Sequence, residues 1–213
     1  MNALDIAAIR AEFPILAREA YGKPLVYLDN AASAQKPRAV IDAMRAAMEG
    51  SYANVHRGLH LLANETTAAF ENARNTAARF LNAGAPDEII FTSGGTDALN
   101  LVANTLGQGI GAGDEIILSV MEHHSNIVPW HFLRERKGAV IKWLDVDDDG
   151  AVDLDAYEAL FSKRTKIVAL THMSNVLGAA TPGRALADIA HAHGAKILLD
   201  GCQGAVHGGV DVR

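Results

Sequence analysis

A single cysteine, Cys202, stands in 213 residues. That excludes an intramolecular disulfide and any cysteine-rich zinc site, and it fits a reducing compartment. No basic run is present: 19 Lys and Arg stand against 25 Asp and Glu, a formal net charge of −6. A chain of that balance lacks the electrostatic footprint of non-specific nucleic-acid binding. No segment is apolar over the roughly 18–20 residues that a bilayer-crossing helix needs. The start, MNALDIAAIRAEFP, carries Asp5 and Glu12 where a secretory signal would be uninterruptedly apolar. The expectation is a soluble, cytoplasmic protein with neither nucleic acid nor membrane as a partner.

What is present is globular: 49% hydrophobic and 21% charged residues argue against disorder. The length suits one large domain, or one domain with an appendage. Six short β-rich runs are expected as strands: Leu25–Asp29, Glu88–Thr92, Glu115–Ser119, Ala139–Asp145, Lys166–Thr171 and Lys196–Asp200. Several are near-continuous Ile, Leu and Val, which suits strands buried on both faces. Helical periodicity lies between most of them. Thr66–Leu81 puts Phe70, Ala73, Ala77, Phe80 and Leu81 on one stripe, and Asp97–Leu106 does the same with Leu99, Val102, Ala103 and Leu106. Leu154–Phe161 and Arg184–His193 read likewise. The alternation predicts an α/β fold, a mostly parallel sheet with helices on both faces. The first sixty residues are less regular: an N-terminal helix, a short strand and a helix from about Ala39, then the irregular SYANVHRGLH.

In open α/β sheets ligands sit beyond the carboxyl ends of the strands, so the residues after each strand are the informative ones. After EIIFT comes Ser93-Gly94-Gly95-Thr96-Asp97, opening a helix. Glycines admit an anion close to the backbone, and the helix N-terminus favours a phosphate. Read alone, the stretch is weak and is better read as an ordinary strand-to-helix turn capped by Thr96 or Asp97. After EIILS comes Met121-Glu122-His123-His124-Ser125-Asn126, where an imidazole can stack on a flat ring or move a proton. After KIVALT comes His172-Met173-Ser174-Asn175, with an amide donor. After KILLD come Gly201-Cys202-Gln203, so Asp200 ends a buried strand, where its charge is costly unless a cation meets it. Each has a structural reading by itself. An anion cradle, a stacker, an amide and a buried carboxylate on one rim are hard to explain as coincidence.

Other signals fail. His56 and His60 are spaced i, i+4 but lack the glutamate of a zinc protease, and Gly58 disfavours a helix there. No metal site is expected, since a metal-dependent hydrolase would need several of the nine histidines to converge. Gly107, Gly109, Gly111 and Gly113 follow a helix and do not spell GxGxxG, so a dinucleotide site is disfavoured.

The ordered set YLDNAASAQKP, NVHRG, SGGTDALNLVAN, MEHHSNIVPW, THMSNVLG and DGCQ resembles cysteine desulfurases, most nearly their Suf-type branch. These are enzymes of the class V aminotransferase group, of fold type I, dependent on pyridoxal 5'-phosphate (PLP). The resemblance runs from about Glu12 to Arg213. It implies an N-terminal segment over 1–60 and a PLP-binding large domain over 61–213. It implies that Gly95 and Thr96 hold the cofactor phosphate and that His123, a catalytic residue, stacks over the ring. Asp200 would pair with the pyridine N–H, so that the ring works as an electron sink. Gln203 would hydrogen-bond the ring's phenolic oxygen, and Asn175 would contact the substrate or that same oxygen. His56, Arg57 and Asp97 would lie in the substrate region. Family members often carry a second Thr where this chain has Gly95, and Glu where it has Asp97. The implied reaction takes sulfur from L-cysteine, leaving L-alanine and an enzyme persulfide. A sulfur-acceptor protein of iron–sulfur cluster assembly would take it up, and the full enzyme would be a homodimer.

The resemblance also implies a Schiff-base lysine in a His-Lys motif after one further strand. No His-Lys pair occurs in the sequence. Lys196 lies four residues from Asp200, roughly 13 Å along a strand and toward the other rim. Lys166 has the same problem, and Lys36 matches a family position with no such role. The expectation is therefore the N-terminal part of such an enzyme, ending before the lysine, the persulfide cysteine and the substrate-binding arginine, and inactive alone. A selenocysteine lyase or other class V relative, or a non-catalytic remnant, is the alternative.

Overall fold

The structure is a computed structural model that describes residues 4–213. The chain divides into two compact units, one ending at Arg79 and the other spanning Phe80–Arg213.

The first unit opens with helix α1 (Ile6–Ala11), which Asp5 caps by accepting the Ala8 N–H. A two-residue hairpin follows, β1 (Glu19–Ala20) antiparallel to β2 (Lys23–Pro24). Its turn residues Tyr21 and Gly22 have φ of 55° and 72°, the positive values that tight hairpins require. The strand expected at 25–29 does not form. Val26 and Leu28 are largely exposed, and cross-hairpin bonding goes no further than the Leu25 N–H, which donates to the Arg18 carbonyl at 3.0 Å. Helix α2 (Arg38–Gly50) starts after Pro37, close to the expected Ala39. Helix α3 (Leu61–Phe80) begins earlier than its periodicity predicted, and its inner face is rotated. Ala63 and Ala78 are the buried residues, whereas Ala73 and Phe80 of the expected stripe are exposed. Arg74 lies on the half-buried side, its guanidinium paired with Glu71 at 3.2 Å and 5.1 Å from the Phe70 ring centre. A long cationic side chain covers apolar surface with its stem while its charge stays paired.

In the second unit, α4 (Gly95–Leu106) precedes β3 (Glu115–Ser119), α5 (Val128–Lys137), β4 (Val140–Leu144), α6 (Leu154–Ala159), β5 (Thr165–Thr171), α7 (Gly183–Ala192), β6 (Lys196–Asp200) and the single turn α8 (Gly204–His207). The four strands form one parallel sheet in the order β4-β3-β5-β6. Alternation along β3 and β5 builds two cores. Ile116, Leu118, Ile167 and Ala169 pack with Ala103 of α4 and with Trp130 and Leu133 of α5. On the opposite face, Ile117, Val168 and Leu170 pack with Tyr157 of α6 and with Leu186 and Ala190 of α7. Each fully buried Leu or Ile contributes about 1.5–3 kcal/mol, and the two central strands supply such residues to both sides. The α/β fold with helices on both faces is thus the one expected.

Two features differ. The run 88–92 is not part of the sheet: Pro86–Glu88 form a 3₁₀ turn, and Ile90 and Phe91 are exposed. Apolar, β-branched composition does not make a ladder without a neighbour to pair with. Conversely, α5 was not evident from hydrophobic spacing. Pro129 in its first turn and Gly138 in the left-handed conformation at its end mark its boundaries.

Candidate cofactor site

The ends of β5 and β6 carry the first part of the site. Thr171 and Asp200 are register partners, and the His172 N–H donates to the Asp200 carbonyl at 2.9 Å, so pairing continues to the rim. Asp200 is 8% exposed. Its Oδ1 accepts the Cys202 N–H at 3.0 Å, so the following turn aims the carboxylate. Among the described residues no Lys, Arg or His forms an ion pair with it. The strand end therefore presents a negative charge suited to a cation brought by a ligand.

The start of α4 faces this carboxylate through Cys202. Gly94 has φ of 146°, a conformation that glycine tolerates, and it precedes the first helical residue with no side-chain cap. Asp97 Oδ2 accepts the Ser93 N–H at 3.0 Å and Thr92 Oγ1 donates to the Gly94 carbonyl at 3.1 Å, which folds the turn. Thr96 is exposed at the second helical position. A Cβ on Gly95 would stand 2.6 Å from Cys202 Sγ, so the thiol occupies the space beside the glycine. Cys202 is exposed, but partial desolvation of its sulfur, then the hydrogen bond and charge of Asp200, push the thiol up to about 11. It is held as a neutral thiol rather than a nucleophile.

His123 follows β3. It caps the turn 124–126, its Nδ1 accepting from the Ser125 N–H at 3.2 Å with Ser125 Oγ at 2.8 Å. A peptide N–H can only donate, so the neutral ring carries its proton on Nε2. The ring is exposed. Asn175 is exposed on a turn whose contacts come from Ser174, Oγ of which accepts from the N–H groups of Val176 and Leu177. Gln203 is half-buried and leads into α8. His56 and Arg57 belong to the first unit. There His56 has φ of 58°, its N–H donates to Thr67 Oγ1 at 3.0 Å, and its Nε2 meets Glu71 Oε1 at 2.8 Å.

The structure thus joins Gly95, Cys202 and Asp200 directly, with Thr96 and Asp97 beside Gly95 on α4. Sequence reasoning passed over two residues here. His172 fills the space where a Cβ on Gly204 would lie, which explains the glycine that opens α8. Glu122, 7% exposed, accepts from Ser119 Oγ, Asn126 Nδ2 and the Thr171 N–H at 2.6, 2.6 and 2.8 Å. Burial raises its carboxyl above the ordinary range, and the Asp200 charge adds to that, against the lowering effect of its three donors. The i, i+4 spacing of Glu122, Asn126 and Trp130 was the available signal.

The profile of the aminotransferase class-V family matches residues 26–213. A cysteine desulfurase of Klebsiella pneumoniae subsp. pneumoniae is 51% identical over 210 residues, covering 98% of this chain and 52% of that protein. Among solved structures, the apo cysteine desulfurase from Thermococcus onnurineus NA1 superposes with a TM-score of 0.90 at 34% identity, over 100% of this chain and 51% of that one. The cysteine desulfurase CsdA from Escherichia coli, in its S-sulfonic acid form, gives 0.84 at 38% identity, over 99% and 52%. The chain spans about half the length of the relatives it matches. It belongs to the class-V aminotransferase family.

Proposed function

We propose that this chain is part of a PLP-dependent cysteine desulfurase, carrying the cofactor-binding domain over 61–213 behind an N-terminal segment over 1–60. The observation that carries the reading is the buried Asp200 carboxylate, aimed by Cys202 N–H and set beside the Gly95 end of α4. An anion cradle and a carboxylate awaiting a cation fit the two ends of PLP, a phosphate and a protonated pyridine nitrogen. The names of the relatives support the same reaction class.

When bound, PLP supplies an electron sink for bonds at the substrate α- and β-carbons. The chain's own residues have simpler tasks. Backbone N–H of Gly95 and the Thr96 hydroxyl bind phosphate, helped by the α4 dipole. Asp97 keeps the cradle folded through Ser93. His123 stacks on the ring with Nε2–H available for proton movement. Asp200 keeps the pyridine nitrogen protonated, and Gln203 and Asn175 donate to oxygens of the ring or substrate. His56 and Arg57 serve the substrate region. The overall reaction converts L-cysteine and a cysteine thiol to L-alanine and a persulfide on that thiol, which balances atoms without an external oxidant. The persulfide sulfur would pass to an acceptor protein of iron–sulfur assembly, from a cytoplasmic homodimer. Cys202 does not serve as that thiol, because its surroundings suppress the thiolate.

With no His-Lys pair in the sequence, the chain by itself is proposed to bind PLP without covalent attachment and to release no alanine from L-cysteine. Titrating PLP into the chain and following the ring absorption band tests the cofactor reading. Saturable binding lost in Asp200→Ala supports it, and equal binding by both overturns it. Sustained alanine release by the chain alone would overturn the inactivity.

A further inference from the structure

Three acids are buried among the described residues: Glu115, Glu122 and Asp200. Glu115 lies at the opposite end of the sheet, and Asp200 has a role above. Glu122 has none, yet it sits immediately before His123. Its bonds join three elements. Oε1 accepts from Ser119 Oγ at the end of β3 and from the Thr171 N–H at the end of β5. Oε2 accepts from Asn126 Nδ2, and Asn126 Oδ1 in turn accepts the Trp130 Nε1–H at 3.0 Å in α5. Asn126 and Trp130 are fully buried.

The direction of this relay is fixed. An indole N–H and a peptide N–H can only donate. Trp130 therefore holds the Asn126 oxygen toward itself and turns the Asn126 amide N–H₂ toward Glu122. Thr171 N–H does the same to the other oxygen. Both oxygens of residue 122 must accept, which a carboxylate can do and a carboxamide cannot. His123 hangs between two pinned points, since its own carbonyl accepts the Asn126 N–H at 2.8 Å. The β5 end that Glu122 grips is also the one whose next N–H, that of His172, bonds the Asp200 backbone.

We infer that Glu122 is a positioning residue: it fixes where His123 stands relative to Asp200, and so sets the stacking of the histidine on the ring that Asp200 pairs. This rests on the cofactor reading above.

The test uses PLP and the full chain, with ring absorption and the induced circular dichroism of the ring as readouts. Glu122→Gln places two N–H groups against each other wherever its amide points. It is expected to weaken PLP binding on the order of tenfold and to lower the induced signal at saturation. Asn126→Asp alone opposes two carboxylates and is expected to act likewise. The pair E122Q/N126D restores every donor to an acceptor, because the carboxylate introduced at position 126 would accept from both Trp130 and the new amide. It is expected to bind PLP within about threefold of the parent, since no buried polar group is then left unpaired. In a His123→Ala background, E122Q should add no further loss, a coupling that a general destabilisation would not show. Far-ultraviolet dichroism at each step separates unfolding from repositioning. The inference is overturned if E122Q binds PLP with the parent's signal, if the pair fails to recover, or if the losses from E122Q and H123A simply add. Asp200→Ala keeps the two claims apart: loss there with an unaffected E122Q sinks the relay and leaves the cofactor reading standing. No ring signal from the parent overturns both.

Discussion

Cys202 Sγ fills the space in which a side chain at position 95 would begin: a Cβ there would lie 2.6 Å away. The two positions are far apart in sequence and meet because β6 ends beside the start of α4. A side chain at position 95 therefore requires the exposed Cys202 side chain to turn aside. Glycine here leaves backbone N–H groups open at the start of α4 and sets a thiol beside them.

Gly95→Thr is expected to destabilise the chain by about 1 kcal/mol, the low end of the cost of overpacking, because the exposed Cys202 side chain can turn aside. In a Cys202→Ala background the same change should cost a small fraction of that. Urea midpoints of the parent, both single variants and the double variant give the coupling. Equal costs in the two backgrounds would show that the sulfur is not what excludes the side chain.

The same sulfur should be slow to alkylate. With the thiol at about 11, about one molecule in a thousand carries the thiolate at pH 8. The iodoacetamide rate should rise about tenfold per pH unit through the range where an ordinary cysteine has levelled off. Burial, the Asp200 hydrogen bond and the Asp200 charge all raise the midpoint, so Asp200→Asn should bring it down and leave the share that burial supplies. A rate that levels off near pH 9 in the parent would contradict this.

Legibility from the sequence followed how local the information was. β3 and β5 announce themselves because strands buried on both faces are almost wholly Ile, Val, Leu and Ala. α4 does so because Leu99, Val102, Ala103 and Leu106 keep strict helical spacing. The runs at 25–29 and 88–92 carry the same composition, but a strand also needs a neighbour, and pairing is not written in a run's own residues. His123, Asn175 and Asp200 could be singled out because each ends or follows a strand, and Gly95 because a glycine pair opens a helix there. Glu122 shows only the helical spacing of Asn126 and Trp130, and its tie to β5 stays hidden because that donor is the peptide N–H of Thr171, a group that every residue but proline has. The Cys202–Gly95 contact was hidden for the same reason: it exists only once two distant segments are packed.

Gly204 opens α8 against His172, and a Cβ there would overlap the imidazole ring. Gly204→Ala is therefore expected to destabilise by about 2–3 kcal/mol, although alanine is the better helix former. His172→Ala in the same chain opens the needed space, so the double variant should melt above Gly204→Ala alone. A Gly204→Ala variant as stable as the parent would mean that the ring moves aside without cost.

At the far end of the sheet from the candidate cofactor site, Glu115 gives the chain an acid-sensitive anchor. It is 3% exposed at the start of β3. Its carboxylate accepts from Ser162 Oγ at 2.7 Å and Thr165 Oγ1 at 3.0 Å, and pairs with Lys142 at 2.9 Å and Arg164 at 3.4 Å. Burial alone would raise the carboxyl, but the Ser162, Lys142 and Thr165 bonds outweigh it and hold it down at about 2. A carboxyl that binds its proton less readily when folded than when unfolded stabilises the fold wherever it is ionised. That contribution is complete above about pH 4.5, declines as the pH falls toward 2, and is absent below. Its size is on the order of 3 kcal/mol at most, because Arg164 is 68% exposed and its share is screened by solvent. Glu115→Gln should lower stability at pH 7 and flatten the stability curve between pH 4.5 and 2. Urea unfolding of both proteins across that interval measures the difference. Parallel curves would mean that Glu115 titrates alike in the folded and unfolded chain, and that the four contacts do not hold its proton off.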